Sequence, residues 1–278
     1  MPHQSVPAWR FGCQARPWLQ TLGQDEFTRQ LPQVMRQIAD IGFEGFETAL
    51  ACLPLDDPAS FAAWRAGANG IELAAAHTGG ALWEPDKAAS VPGLLEHAAR
   101  LPDLGCHRLM VSIGQGVIGI DDQALEKMVV TLRTLGMGAA QYGVEVAIHN
   151  HDHELADDAR VLRAIVRGTS EGEIRLGADL GWVAQGGWDP TVFIVAFGDR
   201  LSYLHVRDVE VIDGRARFVE VGHGALDWPA ILAALFRMGY TGWLVAESEF
   251  TDAWTGLADP VQTALAQFEG MRKRLRPD

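Results

Sequence analysis

The run VEVAIHNHDHE at residues 144–154 begins as an apolar strand and ends in a cluster of histidines and acids. Three later apolar runs also end in a side chain that can bind a metal: IRLGAD at 174–179, LSYLHVRD at 201–208 and WLVAE at 243–247. Near-continuous apolar character is typical of parallel strands that helices cover on both faces. The second half of the chain therefore predicts four buried, parallel strands.

Short apolar runs alternate with longer amphipathic segments over the rest of the chain as well. The predicted strands are 9–14, 42–48, 71–77, 107–114, 144–150, 174–179, 201–206 and 243–247. The predicted helices are 25–41, 57–68, 89–101, 121–143, 156–168, 189–197, 228–239 and 261–275. A polar insertion at 208–224, with a turn signal at Asp213-Gly214, follows the seventh strand. Eight strand–helix units of roughly 35 residues predict an α/β fold, a single (β/α)₈ TIM barrel domain over residues 1–278.

Barrels of this type carry their chemistry at the carboxyl ends of the strands. The side chains of His149 or His151, Asp179, His205 and Glu247 are therefore expected to meet at one mouth of the barrel. Alternation along strand five puts both of its histidines on the same side, so either one fits as the ligand and the other would touch substrate. Two imidazoles and two carboxylates suit one divalent metal ion.

Four more polar residues near strand ends are expected to bind substrate. Glu47 ends the second predicted strand and His77 ends the third. Arg207 and Asp208 directly follow the strand that contains His205. These groups can hydrogen-bond the hydroxyls of a small ligand or transfer protons to it.

Composition limits the classes of partner. Of 278 residues, 48% are hydrophobic, and the net charge is −13 without any basic cluster, which disfavours nucleic acid and anionic membranes. No secretion signal or membrane-spanning run is evident, and Cys13, Cys52 and Cys106 are isolated. These features predict a cytoplasmic protein with a small-molecule ligand. A homo-oligomer is compatible with them.

The chain resembles the xylose-isomerase-like superfamily of sugar phosphate isomerases and epimerases over nearly its whole length. The segments that carry the resemblance are FGCQARPW, GFEGFET, VAIHNHDHE, GADLGWVAQGGWDP, YLHVRD and VGHGALDWPAILAALFRMGYTGWLVAE. The resemblance implies a (β/α)₈ barrel and one Mn²⁺, Mg²⁺, Co²⁺ or Zn²⁺ held at the ends of the last four strands. Asp179, His205 and Glu247 match those ligand positions.

One residue departs from the family's epimerase pattern. Ketose epimerases of this superfamily place a glutamate at the end of strand five, where this chain has His149. The HNHDHE version is similar to a branch with keto-inositol dehydratases and hydratases or lyases of 3-keto sugars. The resemblance therefore puts in doubt a mechanism in which two glutamates exchange the proton on opposite faces of the substrate.

These observations predict a metal-dependent sugar isomerase or epimerase that acts on a keto sugar or cyclitol through an enediolate. The catalytic bases would be His151 or His149 first and Glu247 second, because imidazole titrates near neutral pH. A dehydratase or lyase shares the enediolate and is the alternative, and a sugar-binding barrel without turnover is another. The absence of an evident phosphate site favours a substrate without phosphate.

A metal-dependent apurinic endonuclease shares the barrel but is disfavoured. Such an enzyme needs a cluster of three metals, and Trp182 stands three residues after Asp179, where a further ligand would be expected. The net charge of −13 also repels DNA.

Overall fold

The computed structural model of the protein describes residues 9–82, 84, 90–212 and 215–275. Eight parallel strands close into a ring in the order β1-β2-β3-β4-β5-β6-β7-β10, and β10 pairs with β1. This ring confirms the predicted (β/α)₈ barrel. The barrel strands are β1 Arg10–Gln14, β2 Gly45–Ala49, β3 Glu72–Gly79, β4 Arg108–Ser112, β5 Glu145–His149, β6 Arg175–Asp179, β7 Leu201–Val206 and β10 Trp243–Ala246.

Helices connect the strands and cover the outside of the ring. They are α1 Arg16–Leu22, α2 Gln24–Ile41, α3 Pro58–Ala66, α4 Val91–Ala98, α5 Asp122–Ala140, α6 Ala156–Gly168, α7 Leu180–Gln185, α8 Pro190–Phe197, α9 Trp228–Arg237 and α10 Pro260–Leu275. Aspartates cap several of them: Asp227, for example, accepts a hydrogen bond from the Ala230 backbone at the start of α9. Within the described ranges, no helix combines the length and the apolar character that crossing a membrane requires.

Apolar side chains fill the amino-terminal end of the barrel and leave its other end to polar groups. The cluster inside the ring consists of Ala74, Ala75, Met110, Ala147, Tyr203, Trp243 and Val245. Trp243 is the largest and starts β10. It fits because Gly45 has no side chain: a Cβ atom there would lie 2.4 Å from the indole ring. The packed end leaves the carboxyl ends of the strands as the place for a cavity.

The predicted polar insertion forms an antiparallel hairpin of β8, Asp208–Ile212, and β9, Arg215–Val219. The turn expected at Asp213-Gly214 lies outside the described residues. Phe218 of this hairpin packs against Trp182, with ring centroids 4.7 Å apart. The hairpin thus covers the barrel beside the ends of β6 and β7.

The start of α6 contains a left-handed stretch directly after the histidine-rich segment. Asp157, Asp158 and Ala159 have φ angles of 52°, 57° and 55°. Residues with a Cβ atom rarely adopt this backbone conformation, because Cβ then lies too close to the following carbonyl oxygen.

Candidate active site

The carboxyl ends of the last four barrel strands bring together four buried side chains. His149 ends β5, Asp179 ends β6, His205 lies near the end of β7 and Glu247 directly follows β10. One nitrogen or carboxylate oxygen from each lies within 4.8 Å of those from the other three. We call these residues the four-residue group. Its members are the residues that the sequence predicts as metal ligands, with His149 in preference to His151.

The spacing inside this group matches that of atoms around one ion. The Nδ1 atom of His205 lies 3.1 Å from Nδ1 of His149 and 2.6 Å from Oε2 of Glu247. Ligand atoms bound to one ion at 2.0–2.2 Å are about 3 Å from each other. These two distances, and a span of at most 4.8 Å across all four ligand atoms, are close to those of donors that share one divalent cation.

Glu47 fixes the orientation of His205 from behind. Its Oε2 lies 2.8 Å from His205 Nε2, and its side chain is fully buried. Burial alone would raise the pKa of Glu47, but His205 and His77 outweigh it and hold this pKa below its ordinary value. The ionised carboxylate accepts the Nε2 proton, which turns Nδ1 toward the four-residue group, where its lone pair becomes available to a metal once Nδ1 has lost its proton.

When both histidines are neutral, which is the form that binds a metal, the four-residue group and Arg207 together carry more negative than positive charge. Arg207 Nη2 lies 2.8 Å from Asp179 Oδ2 and 3.8 Å from Glu247 Oε1. This one guanidinium therefore forms an ion pair with each of the two carboxylates. Burial raises the pKa of Asp179 to about 7 against the effect of Arg207, and the charge of Glu247 adds to the rise. Gly181 makes room for the guanidinium, since a Cβ there would lie 2.7 Å from Arg207 Cγ. A divalent cation would neutralise the remaining charge.

The two histidines of strand five have different positions. His149 belongs to the four-residue group, whereas His151 lies beyond the strand and lines a cavity next to it. Burial lowers the pKa of His149 well below its ordinary value and that of His151 to about 3. Both rings are therefore neutral, which is the form that binds a metal or accepts a proton. Between them, Asn150 extends the β5–β6 pairing, since its side chain bonds both the N–H and the C=O of Asp179.

A cavity of about 420 Å³ opens beside the four-residue group, in the range of small-ligand sites. His149 and Glu247 form part of its wall, and Arg16 and Glu249 form an ion pair there. Among the described residues, three polar atoms of its lining are buried without a hydrogen-bond partner: Gln14 Oε1, Thr48 Oγ1 and His151 Nδ1. Buried polar atoms are normally paired, so these atoms favour a ligand that is rich in hydroxyl groups.

The four residues that were predicted to bind substrate differ in their position relative to the cavity. His77 lines the cavity, whereas Glu47 and Arg207 are fully buried behind the lining and hold His205 and Asp179. Asp208 lies away from the cavity. Its carboxylate accepts hydrogen bonds from the backbone of Val209, Gly222 and Leu226 and from Trp228 Nε1; this gives it a structural role in place of the predicted substrate contact.

Gln14 and Ser112 line the cavity but were not among the predicted site residues. They are the last residues of β1 and β4, so the rule that identified the metal-binding types at strand ends also marks them. An amide and a hydroxyl do not stand out in a search for metal ligands, which is why these two residues were missed.

Comparisons with known proteins agree with this architecture. A family model described as xylose isomerase-like TIM barrel matches residues 35–273. An inosose dehydratase of Geobacillus kaustophilus is 25% identical over 280 residues, which cover 88% of this chain and 89% of the relative.

Two solved structures share the fold at lower identity. The 3-keto-D-glucoside 4-epimerase YcjR of E. coli has a TM-score of 0.73 at 19% identity, and the match covers 95% of this chain and 99% of that one. A D-allulose 3-epimerase of Methylomonas sp., in complex with D-allulose, has a TM-score of 0.76 at 17% identity, with 96% and 98% covered. At this identity the likeness shows the fold alone.

Proposed function

The chain belongs to the xylose isomerase-like TIM barrel family, and from this premise we propose that it is a divalent-metal-dependent enzyme of keto sugars or keto cyclitols. The reaction begins with removal of the proton on the carbon next to the carbonyl. The observation that carries the proposal is the four-residue group beside a cavity whose lining atoms Gln14 Oε1, Thr48 Oγ1 and His151 Nδ1 have no hydrogen-bond partner in the part of the chain that the structure describes.

The residues fit a divalent cation in number, spacing and charge. His149, Asp179, His205 and Glu247 would hold it, and their mixed nitrogen and oxygen donors suit Mn²⁺, Co²⁺, Zn²⁺ or Mg²⁺. When bound, such an ion supplies Lewis-acid stabilisation of the negative charge that develops as the enediolate forms.

His151 is the candidate for accepting the proton from carbon because of its position on the cavity wall; burial lowers its pKa to about 3, below the near-neutral value on which the sequence prediction relied. Its ring is neutral and, among the described residues, its Nδ1 has no hydrogen-bond partner, while its backbone N–H donates to Glu154 Oε2 over 2.7 Å. Glu247 is the second choice, because its oxygens point toward His205 and Arg207. The enediolate that follows can return the proton to another carbon or expel a hydroxide from the next carbon.

Loss of water is the outcome that the site supports best. An epimerase with two carboxylates needs a second one across the substrate from Glu247, and strand five supplies His149 at that position. The relative that is matched over 89% of its length is named for the dehydration of an inosose. Isomerisation or epimerisation is the second candidate, and His77 favours it, because it supplies an acid–base group from a different wall of the cavity.

The substrate is without phosphate. Among the described lining residues, Arg16 is the one lysine or arginine, and its guanidinium is already paired with Glu249. A phosphate would require a further cation or a row of backbone N–H groups.

A substrate screen with defined metal content tests the proposal. The purified protein would be stripped with a chelator, reloaded with Mn²⁺, Co²⁺ or Zn²⁺, and incubated with an inosose, a 3-keto glucose or D-allulose. Absorbance of a conjugated enone reports dehydration, and proton NMR in D₂O reports exchange and epimers. Full metal loading and sugar binding, without turnover or exchange at carbon, would instead indicate a binding protein.

A further inference from the structure

A carboxylate, an imidazole and a hydroxyl form a hydrogen-bonded row at the ends of β2, β3 and β4. Glu47 Oε1 lies 2.9 Å from His77 Nδ1, and His77 Nε2 lies 2.9 Å from Ser112 Oγ. His77 and Ser112 line the cavity, whereas Glu47 is fully buried behind them. An imidazole that is oriented by a buried carboxylate can take a proton from a hydroxyl group.

The partners of Glu47 determine the direction in which the row is polarised. Gln14 Nε2 donates to Oε1 over 3.1 Å, and His205 Nε2 lies 2.8 Å from Oε2, so both carboxylate oxygens act as acceptors. His77 therefore donates from Nδ1, and in this tautomer the lone pair is on Nε2. Ser112 donates its proton to that lone pair and turns its own lone pairs toward the cavity. A ligand at this wall has to offer a hydroxyl proton.

We propose that Ser112 is a catalytic residue that takes the proton of a substrate hydroxyl, with His77 and Glu47 as its positioning residues. The identity of the substrate rests on the proposed function. As the substrate proton moves to Ser112 Oγ, the proton of Ser112 moves to His77 Nε2, and the imidazolium stays paired with Glu47. The substrate keeps the electron pair as an oxyanion, and the reverse transfer returns the proton to that oxygen or to a departing hydroxide. No bond to Ser112 forms.

The position of the row suits this task. The rings of His77 and His149 are 5.2 Å apart, so the row borders the four-residue group. His151 approaches the same cavity from the end of β5. A substrate between them has its acidic carbon near one imidazole and a hydroxyl near Ser112. Removal of water requires a base at the carbon and a proton for the departing hydroxide, and the row can return the proton that it has taken.

The variant Ser112→Cys tests the row without any substrate. A thiol beside an imidazole base loses its proton more readily and is alkylated faster. The three native cysteines, Cys13, Cys52 and Cys106, are at most 3% exposed, so the new thiol is the accessible one. Iodoacetamide labelling at neutral pH, followed by mass spectrometry, gives the rate. We expect Ser112→Cys to react at least about tenfold faster than the double variant with His77→Gln.

Thr78→Cys is the matched control. Thr78 lines the same cavity and is half-buried, and no hydrogen bond joins it to an imidazole within the described residues. Its thiol should react at the rate of the Ser112→Cys, His77→Gln double variant. Equal rates for Ser112→Cys with and without His77, at all pH values between 6 and 9, would overturn the proposal. Circular dichroism confirms that each variant is folded.

Once a keto substrate is found, measurements of turnover provide a second test of the catalytic role of Ser112. Ser112→Ala should lower kcat by about 10²-fold or more with little change in KM, and Ser112→Thr should restore part of it. Full kcat in Ser112→Ala would refute the catalytic role. If none of the keto substrates is converted by the native protein, the proposed function fails, while the thiol rates still decide whether the row moves a proton.

Discussion

The Nδ1 atoms of His149 and His205 lie 3.1 Å apart, although β6 separates their strands in the barrel. Two nitrogens that both carry lone pairs at this distance repel each other unless a proton or a cation lies between them. Burial keeps the His149 ring neutral, and Glu47 accepts the other proton of His205. The contact between these two rings therefore couples the protonation of the site to the binding of a metal ion.

Metal affinity should rise with pH. Burial alone would lower the pKa of His205, but Glu47 and Glu247 raise it well above its ordinary value, so the ring is protonated at neutral pH. A cation has to displace that proton. Burial raises the pKa of Asp179 to about 7, so in more acidic solution the cation also displaces a proton from a growing fraction of the Asp179 carboxyl groups. We expect the association constant for Mn²⁺ to increase about tenfold per pH unit near neutrality. Calorimetry in buffers of different ionisation enthalpy measures the released protons; an affinity that is independent of pH would contradict this coupling.

Glu247→Gln should lose the bound metal and the turnover together, because the variant removes an anionic ligand from the four-residue group. Glu249→Gln is the matched control: its side chain lines the same cavity but is paired with Arg16. We expect elemental analysis after dialysis to give an affinity at least about 10–100-fold weaker for Glu247→Gln and an unchanged one for Glu249→Gln. Equal metal content in the two variants would show that Glu247 is not a ligand.

Asp208→Ala should reduce stability and leave metal binding intact. The substitution removes the acceptor of three backbone N–H groups and of Trp228 Nε1, and the Asp208 side chain is 1% exposed. Each buried donor without a partner costs about 1–3 kcal/mol, so a loss of about 3 kcal/mol or more is expected in urea unfolding. A change in metal affinity at unchanged stability would instead show that Asp208 acts in the active site.

Asp157 offers a test of the left-handed stretch at the start of α6. Its φ of 52° is unfavourable for any residue with a Cβ, and its side chain is exposed, so few contacts change on substitution. Asp157→Gly should be more stable than Asp157→Ala by about 1 kcal/mol. The steric penalty that glycine avoids in this conformation is larger than the extra entropy that glycine loses on folding. Thermal unfolding of the two variants compares them directly, and a more stable alanine variant would argue against this backbone conformation.

The strand pattern predicted the barrel and the end of it where the four candidate metal ligands meet, because both depend on short-range features. VEVAIH, IRLGAD and WLVAE are largely apolar before a metal-binding type of residue at the end, and a closed parallel ring places such ends together. The apolar pattern could not predict which of His149 and His151 belongs to the four-residue group. Strand alternation holds only while the strand lasts, and β5 ends at His149.

The roles of Asp208 and Glu47 depend on partners that are distant in sequence. The donors to Asp208 at Gly222, Leu226 and Trp228 come from the far side of the hairpin. Glu47 faces His205, which is 158 positions away. A single sequence contains no local signal for such contacts, so both residues were expected at the cavity surface.

The pairing of β1 with β10 has a consequence for the order of events in the cell. Cys13 lies beside Ala246 in this pairing, so the cylinder stays open until the chain has been made through β10. Glu247 directly follows β10 and is the last member of the four-residue group to leave the ribosome. An ion held by these side chains would be acquired only after translation has passed this point, and it would stabilise a finished barrel rather than nucleate its folding.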